Sequence, residues 1–244
     1  MANAGFGDRV EGLHAVSEAV RRGRVRRLTV EQKRLRRPEY SELASVVESG
    51  GGIVDVEEDV RAGAETEAPQ GIVAIADPIP FRNIDDLVTP LAALVVMDHV
   101  LDPHNVGAIA RSALAAGMTG MVRTHRRSAP LGATALKAAA GALETLPVAS
   151  VPSAADAVRR LGSEGVWSVA LADGAEDVLW DLPLLTEPVA LVIGAEGDGV
   201  SSLVRERADM VVSIPMEEGI GSLNASVAAA LACFEVKRVR ARRT

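Results

Sequence analysis

The sequence predicts an α/β protein with two domains, of which the second is built on a mainly parallel sheet. Apolar runs of strand length alternate with stretches of helical periodicity through the C-terminal part of the chain, and this alternation favours parallel strands joined by helices. A shorter α/β series comes first. Between the two, residues 78–90 contain three prolines, which favour extended chain and oppose helix. We therefore expect domains at 1–77 and 91–244, with a linker at 78–90.

The first domain is predicted to contain two helices and three strands. Helices are expected at 12–22 and 38–49, and strands at 25–30, 53–56 and 71–76. The strands are short runs rich in apolar residues, and the helices have apolar residues recurring at helical spacing. A module of about 80 residues lies within the size range of a small domain.

The second domain is predicted to alternate five strands with four helices. Strands are expected near 92–97, 120–124, 166–171, 189–193 and 210–214, and helices near 105–116, 132–141, 153–164 and 222–239. The first of these strands is continuously apolar, which is typical of a strand covered on both faces. In the last helix Leu223, Val227, Leu231 and Phe234 recur at near-helical spacing and form an apolar stripe.

The composition indicates a cytoplasmic enzyme. A hydrophobic content of 48% excludes a largely disordered chain. The single cysteine, Cys233, cannot form an internal disulfide, and four scattered histidines without a second thiol give no zinc site. No signal peptide and no apolar run of membrane-spanning length are present. We expect neither a metal nor a membrane partner.

Positive charge is concentrated near the N-terminus although the net charge of the chain is -7. Residues 21–37 contain nine Arg or Lys and one acidic residue, Glu31. Such a cluster can hold the phosphates of a nucleic acid, although a solvated helix face is the alternative. Aromatic residues make up 2% of the chain, so we expect recognition by phosphate contacts rather than by base stacking. The candidate RNA-binding residues are Arg21, Arg22, Arg24, Arg26 and Arg27.

Arg111 is the first candidate for chemistry. It lies in a predicted helix that begins near Asn105, among small and apolar neighbours such as Ile109 and Leu114. A permanently charged guanidinium in such surroundings favours an anionic partner. The alternative is an arginine that is salt-bridged or that extends its head to solvent.

A glycine-rich turn follows the strand at 189–193. Gly194, Gly197 and Gly199 allow positive φ and a close approach of the backbone to a ligand. Their spacing differs from that of a dinucleotide-binding loop. A tight structural turn is the alternative interpretation, but it does not account for the carboxylate of Glu196 within the turn.

A third polar segment follows the strand at 210–214. Ile214-Pro-Met begins a loop, and Ser222 and Asn224 come where the last helix is expected to start. Both side chains suit a helix cap. A cap and a ligand contact can coexist, since the first N–H groups of a helix are free to bond either a side chain or a substrate.

In this order and spacing the three segments resemble the three signature motifs of the SpoU branch of the SPOUT methyltransferases. Members of this family methylate a ribose 2′-hydroxyl of RNA with S-adenosylmethionine. The opening Val10–His14 and the stretch Ala68–Gly71 resemble parts of the small substrate-binding domain of rRNA-modifying members, which is similar to a family of ribosomal proteins. The resemblance covers nearly the whole chain, and it is greatest to bacterial members that methylate a guanosine in large-subunit rRNA.

The resemblance implies a trefoil-knotted C-terminal domain, a homodimer with active sites at the subunit interface, and two sets of site residues. The cofactor-binding set comprises Gly194, Ala195, Ile214, Pro215, Met216, Ser222 and Leu223. The catalytic set comprises Asn105, Arg111, Glu196 and Asn224. Because an arginine stays protonated in proteins, we expect Arg111 to bind the target phosphate or polarise the hydroxyl rather than to accept its proton.

Three other functions remain open at the level of the sequence. The substrate could be a tRNA, or an rRNA site whose methylation gives antibiotic resistance. The chain could also be an rRNA-binding assembly factor that has kept the fold but not the activity. The N-terminal domain favours rRNA, because tRNA-modifying relatives usually lack it.

Overall fold

The computed structural model describes residues 5–195, 197, 199–217 and 221–242. The chain divides into two compact units, unit 1 and unit 2. Unit 1 comprises Met1–Phe81 and Pro130–Thr145, and unit 2 comprises Arg82–Ala129 and Leu146–Thr244. The boundary after Phe81 falls inside the predicted linker. The segment Pro130–Thr145 groups with the first unit, whereas the sequence had suggested that it belongs with the second.

The elements agree closely with those expected from the sequence. The strands are β1 Arg9–Glu11, β2 Val25–Glu31, β3 Ile53–Glu57, β4 Ile72–Ala76, β5 Ala93–Met97, β6 Gly120–Thr124, β7 Val148–Val151, β8 Trp167–Leu171, β9 Asp177–Val178, β10 Val189–Ile193 and β11 Met210–Ser213. The helices are α1 Leu13–Arg21, α2 Pro38–Ser49, α3 Pro103–Ala116, α4 Ala133–Ala139, α5 Ala154–Ser163, α6 Ser202–Arg207 and α7 Ala225–Ala241. Strands β1, β7 and β9 and helix α6 were not expected, and all four are short.

Unit 1 is built on a four-stranded sheet in the order β1-β4-β2-β3. β2 pairs with β3 in parallel, and β4 is antiparallel to both β1 and β2. Leu28 and Val30 of β2 and Ile72 of β4 are fully buried, as is Val16 of α1. The sheet therefore has an apolar core on the side that the helices cover.

Arg24, predicted to bind RNA, is buried in unit 1 instead. Its Nε donates to Glu144 Oε2 at 2.7 Å, and its Nη2 also contacts Glu144. Its Nη1 donates to the carbonyl oxygens of Gly7 at 2.6 Å and Asp77 at 2.7 Å. The guanidinium thus holds Glu144, and with it the segment Pro130–Thr145, against the start of β2. The prediction failed at this residue because the local charge pattern does not show that a distant carboxylate is available.

Unit 2 is built on a seven-stranded parallel sheet in the order β7-β6-β5-β10-β8-β11-β9. Every residue of β5 and β10 is buried, as expected for central strands covered on both faces. Ala190 and Val192 of β10 share a core cluster with Val158 and Leu161 of α5. Since side chains alternate along a strand, the other residues of β10 face the opposite side, where α7 packs.

Helix α7 buries alanines and exposes several of its large apolar residues. Ala229 and Ala232 are fully buried, whereas Val227, Leu231 and Phe234 are 46%, 39% and 47% exposed. The predicted apolar stripe is therefore present, but on the surface of this chain. Among the described helices, none is both long and apolar enough to cross a membrane.

Replacing Arg24 with methionine tests its structural role. The substitution leaves the carboxylate of Glu144 buried without its cationic partner, so we expect the free energy of unfolding to fall by about 3–5 kcal/mol. Urea denaturation of the full chain measures this loss. Arg21→Met is the matched control, since Arg21 is exposed and pairs with Glu18 on the surface of α1, and it should cost less than about 0.5 kcal/mol. Equal losses in the two variants would contradict the assignment.

Candidate active site

A cleft lies at the carboxyl ends of three adjacent strands of unit 2. Its lining includes Leu171–Asp173 at the end of β8, Ile193–Ala195 at the end of β10, and Ile214 after β11, and α7 also contributes. The cleft measures about 490 Å³, counting its open mouth. Parallel α/β sheets bind ligands at this edge, because every strand ends there and the loops that follow can converge.

The glycine turn after β10 forms one wall of the cleft. Ala195 and Gly199 exchange two backbone hydrogen bonds, of 3.1 and 3.0 Å, and Gly197 and Gly199 have φ of 80° and 64°. At Gly194 a Cβ atom would lie 2.0 Å from the carbonyl carbon of Gly199. The turn can therefore close only with glycine at position 194. Glu196, predicted to be catalytic, lies outside the described residues.

A hydrogen bond between two asparagines joins the first and third polar segments. Asn224 Nδ2 donates to Asn105 Oδ1 at 3.0 Å. Asn224 also caps α7, since its Oδ1 accepts from the backbone N–H of Ser226 at 2.9 Å. The cap is thus Asn224 and not Ser222, and α7 begins three residues later than expected. The structure shows the cap, and the same amide also bonds Asn105; contact of Asn224 with a substrate stays a prediction.

Arg111 is exposed on α3 and lies outside the lining of the cleft. Its side chain forms no hydrogen bond or ion pair with any other residue in the part of the chain that the structure describes. α3 and α7 run in parallel, since Asn105 meets Asn224 near one end and Lys237 Nζ donates to the carbonyl oxygen of Ala115 near the other, at 3.0 Å. Along the common axis of the two helices, Arg111 of α3 therefore lies at about the same height as Leu231 of α7.

The predicted cofactor residues divide into two groups. Gly194, Ala195, Ile214 and Leu223 line the cleft, whereas Pro215, Met216 and Ser222 do not. Leu171, Ala172 and Asp173 line it as well and were not predicted. Leu171 ends a predicted strand and the other two directly follow it, so the rule that ligands bind at the carboxyl ends of parallel strands would have identified them.

The remaining candidate RNA-binding arginines lie on the surface of unit 1, and each has a polar partner. The pairs are Arg21 with Glu18, Arg22 with Thr145, Arg26 with Asp77, and Arg27 with Asp55. Unlike the pair of Arg24, the three ion pairs among them are exposed to solvent. Exposed pairs contribute roughly 0–1 kcal/mol, so a phosphate can compete for these arginines.

The sequence after the predicted linker matches a known family. Residues 92–234 match the family model described as the SpoU rRNA Methylase family. The chain belongs to this family. Its members use S-adenosylmethionine to methylate RNA, and this chain is accordingly an S-adenosylmethionine-dependent RNA methyltransferase.

Individual relatives extend the similarity to most of the chain. A 23S rRNA (guanosine-2′-O-)-methyltransferase RlmB of Ralstonia nicotianae is 41% identical over 187 residues, which cover 75% of each chain. The protein of the same name from Pectobacterium atrosepticum is 37% identical and covers 95% of this chain and 98% of its own length. The crystal structure of the SpoU methyltransferase AviRb from Streptomyces viridochromogenes, in complex with AdoMet, has a TM-score of 0.82 at 27% identity. That match covers 96% of this chain and 90% of AviRb.

The cleft has the chemistry that S-adenosylmethionine requires. Its apolar side chains, Leu171, Ile214 and Leu223, suit a purine ring, and the bare backbone at Gly194 offers polar groups without a side chain in the way. The carboxylate of Asp173 at the cleft can attract a cationic sulfonium or ammonium group. Within the described residues, no cluster of His, Cys, Asp and Glu could hold a metal ion.

Replacing Gly194 with alanine tests whether the turn forms the cofactor site. The added Cβ would overlap the backbone at Gly199 and Val200, so the turn must open, and we expect binding of S-adenosylmethionine to be lost. Isothermal calorimetry measures the binding, and a thermal melt checks that the fold persists. Gly162→Ala in α5 is the matched control, because its Cβ meets no atom within 4 Å. Unchanged affinity in the Gly194 variant would show that the cofactor binds elsewhere.

Proposed function

We propose that this enzyme transfers a methyl group to the ribose 2′-hydroxyl of a guanosine in 23S rRNA, and that it acts in the cytoplasm, where rRNA is made. The hydrogen bond from Asn224 to Asn105 carries the proposal. It brings the polar residues of two separate segments beside the glycine turn and the cleft, which is what methyl transfer to a positioned hydroxyl needs. The relatives named as 23S rRNA (guanosine-2′-O-)-methyltransferases support 23S rRNA as the substrate and guanosine as the methylated nucleoside.

Bound in the cleft, S-adenosylmethionine would supply a methyl group that its positive sulfur already activates. What the protein must add is position, since a displacement requires the attacking oxygen, methyl carbon and sulfur in line. The turn at Gly194 and Ala195 would hold the cofactor through backbone groups, and Ile214 and Leu223 would hold it through apolar contacts. Asn105 and Asn224 would orient the ribose, and the same proposal extends to Glu196.

Arg111 would bind the phosphate of the target nucleotide or polarise its hydroxyl. A guanidinium in a protein is already protonated, so it cannot readily accept another proton. Its two-pronged geometry suits a phosphate, and it has no competing partner among the described residues. Arg111 would therefore fix the substrate, and the proton would leave to another group.

We also propose a homodimer whose active sites lie at the subunit interface. Arg111 does not line the cleft of its own chain, yet it lies at the level of the stripe formed by Val227, Leu231 and Phe234. Monomeric proteins rarely expose an apolar stripe of this kind on one helix face. A second copy packed on the stripe would bury it and bring Arg111 to the partner's cleft.

Two further proposals concern the fold. Unit 1 would be a ribosomal-protein-like substrate-binding domain that holds rRNA phosphates through Arg21, Arg22, Arg26 and Arg27. The C-terminal part of unit 2 would be threaded as a trefoil knot. In support of the knot, β10 lies between β5 and β8 in the sheet, so the chain returns to the interior of a sheet after strands β5 to β9 have formed part of it.

Methyl transfer from labelled S-adenosylmethionine to separate pools of large-subunit rRNA, small-subunit rRNA and tRNA tests the function. We expect label at the 2′-oxygen of one guanosine in large-subunit rRNA, mapped by nuclease digestion. Arg111→Ala should bind the cofactor normally but transfer methyl roughly 100-fold more slowly or worse, because a substrate-fixing charge is lost. Arg159→Ala on α5, an exposed arginine paired with Asp156, is the matched control.

The outcomes of this assay separate the alternatives. Label in tRNA alone would keep the chemistry and overturn the proposed substrate. Tight rRNA binding without label and without cofactor binding would favour an assembly factor. An Arg111→Ala enzyme with the wild-type rate would exclude the role given to that arginine.

Substituting glutamate for Phe234 tests the dimer. A charge in the stripe would have to be desolvated at the interface, so we expect a mass near 25.5 kDa, that of one chain, where the wild type gives about twice that value. Light scattering after size exclusion measures both. Val46→Glu, at an equally exposed apolar position on α2, should leave the dimer intact. A dimeric Phe234 variant with full activity would place the interface elsewhere.

A further inference from the structure

A second cavity lies beside the cofactor cleft in unit 2. It measures about 520 Å³, counting its open mouth, and its lining includes His99, Asp102, Asn105, Ala195 and Ala225. Ala195 and Ala225 also line the cofactor cleft. The two spaces therefore adjoin, and Asn105, which Asn224 positions, faces the second one. A nucleoside entering this cavity would lie next to the methyl donor.

His99 is held in the cavity by a strained and anchored loop. Its φ of 61° lies in the left-handed region, which few residues other than glycine adopt without cost. The loop is fixed on both sides, since Asp98 N–H donates to the carbonyl oxygen of Ile193 at 2.8 Å and Ala129 N–H donates to that of Val100 at 3.0 Å. These hydrogen bonds hold the backbone on both sides of His99, whose side chain lines the cavity.

Asp98 stands behind His99 as an orienting carboxylate. Its side chain is 3% exposed, and its Oδ2 accepts the backbone N–H of Ser201 at 2.7 Å. Its Oδ1 lies 3.7 Å from His99 Nδ1, which is somewhat longer than a hydrogen bond. A shift of less than 1 Å would close this pair, and such pairs commonly tighten when substrate binds. A carboxylate at Nδ1 leaves Nε2 as the proton-accepting nitrogen.

We propose that His99 is the catalytic base that takes the proton of the ribose 2′-hydroxyl, with Asp98 as its positioning residue. The inference rests on the proposed function. As the ribose oxygen attacks the methyl carbon, its O–H bond breaks and the proton passes to Nε2 of the neutral imidazole. The carbon–sulfur bond breaks with its electron pair remaining on sulfur, and the imidazolium returns its proton to solvent.

Few other groups near His99 can take this role. Asp102 is the other titratable side chain among the described residues that line the cavity, and its Oδ1 already accepts the N–H of His104 at 2.8 Å, as the cap of α3. Asp98 is buried and held by Ser201. Arg111 cannot readily accept a proton. From the turn after β10, Ala195 lines the cavity, and Glu196 is the competing acceptor that the experiment must separate.

The experiment compares the wild type with His99→Gly in single-turnover methyl transfer to rRNA at pH 5 to 9. Glycine suits the positive φ of this position, so the variant should fold, and it opens space for a small base. We expect a wild-type rate that rises with pH, because only a neutral imidazole can accept the proton of the hydroxyl. The variant should be roughly 100-fold slower, should lose this rise, and should regain rate with added imidazole. His125→Gly is the matched control, because His125 is exposed and lies outside the cavity. The methyl-transfer rate of this variant should not change when imidazole is added.

Each result has a definite meaning. A His99→Gly enzyme with the wild-type rate and pH profile would overturn the inference while the wild type's own activity upholds the proposed function. Loss of the pH-dependent rise in Glu196→Gln but not in His99→Gly would assign the proton to Glu196. A wild type that labels no RNA would instead reject the proposed function. Asp98→Asn should weaken the pH-dependent rise without changing cofactor affinity, which a purely structural role would not produce.

Discussion

The hydrogen bond between Asn105 and Asn224 is the contact on which the site depends. Asn105 is 7% exposed, so losing the amide of Asn224 would remove a hydrogen bond from a buried polar group, at a cost of about 0.5–1.5 kcal/mol. The bond fixes the start of α7 relative to α3. This in turn fixes the level of Arg111 along the helix pair and places Asn105 at the cavity beside the cofactor cleft. Segments 119 residues apart in the chain thereby act as one site.

Backbone geometry, more than side-chain chemistry, shapes the cofactor cleft. The strands β8, β10 and β11 are neighbours in the sheet and end at one edge, so the loops after them converge. The turn after β10 then closes back on itself so tightly that position 194 has no room for a Cβ atom. Such a turn holds main-chain hydrogen-bond donors and acceptors in fixed directions. This suits the binding of a cofactor, which must be recognised before the reaction begins.

The arginines near the N-terminus show how one sequence cluster serves two purposes. Inside unit 1, Arg24 donates hydrogen bonds to Glu144 and to two carbonyl oxygens. It thereby holds a segment that is distant in the sequence against the sheet. Its neighbours Arg26 and Arg27 are exposed, and their ion pairs are weak enough for a phosphate to displace. A cluster of positive charge in the sequence therefore does not show how many of its residues are available to bind RNA.

Much of this protein could be predicted from its sequence because its signals are local. Apolar runs and helical periodicity predicted the main strands and helices, and the glycines of the turn and the polar residues of three segments predicted the family and reaction. Short elements such as β7, set between Pro147 and Pro152, gave too little pattern. Tertiary structure alone decided that Arg24 is buried, that Asn224 rather than Ser222 caps α7, and that His99 and Asn105 line the same cavity. These depend on which distant groups meet, and a one-dimensional pattern records the chemistry of each residue but not its partner.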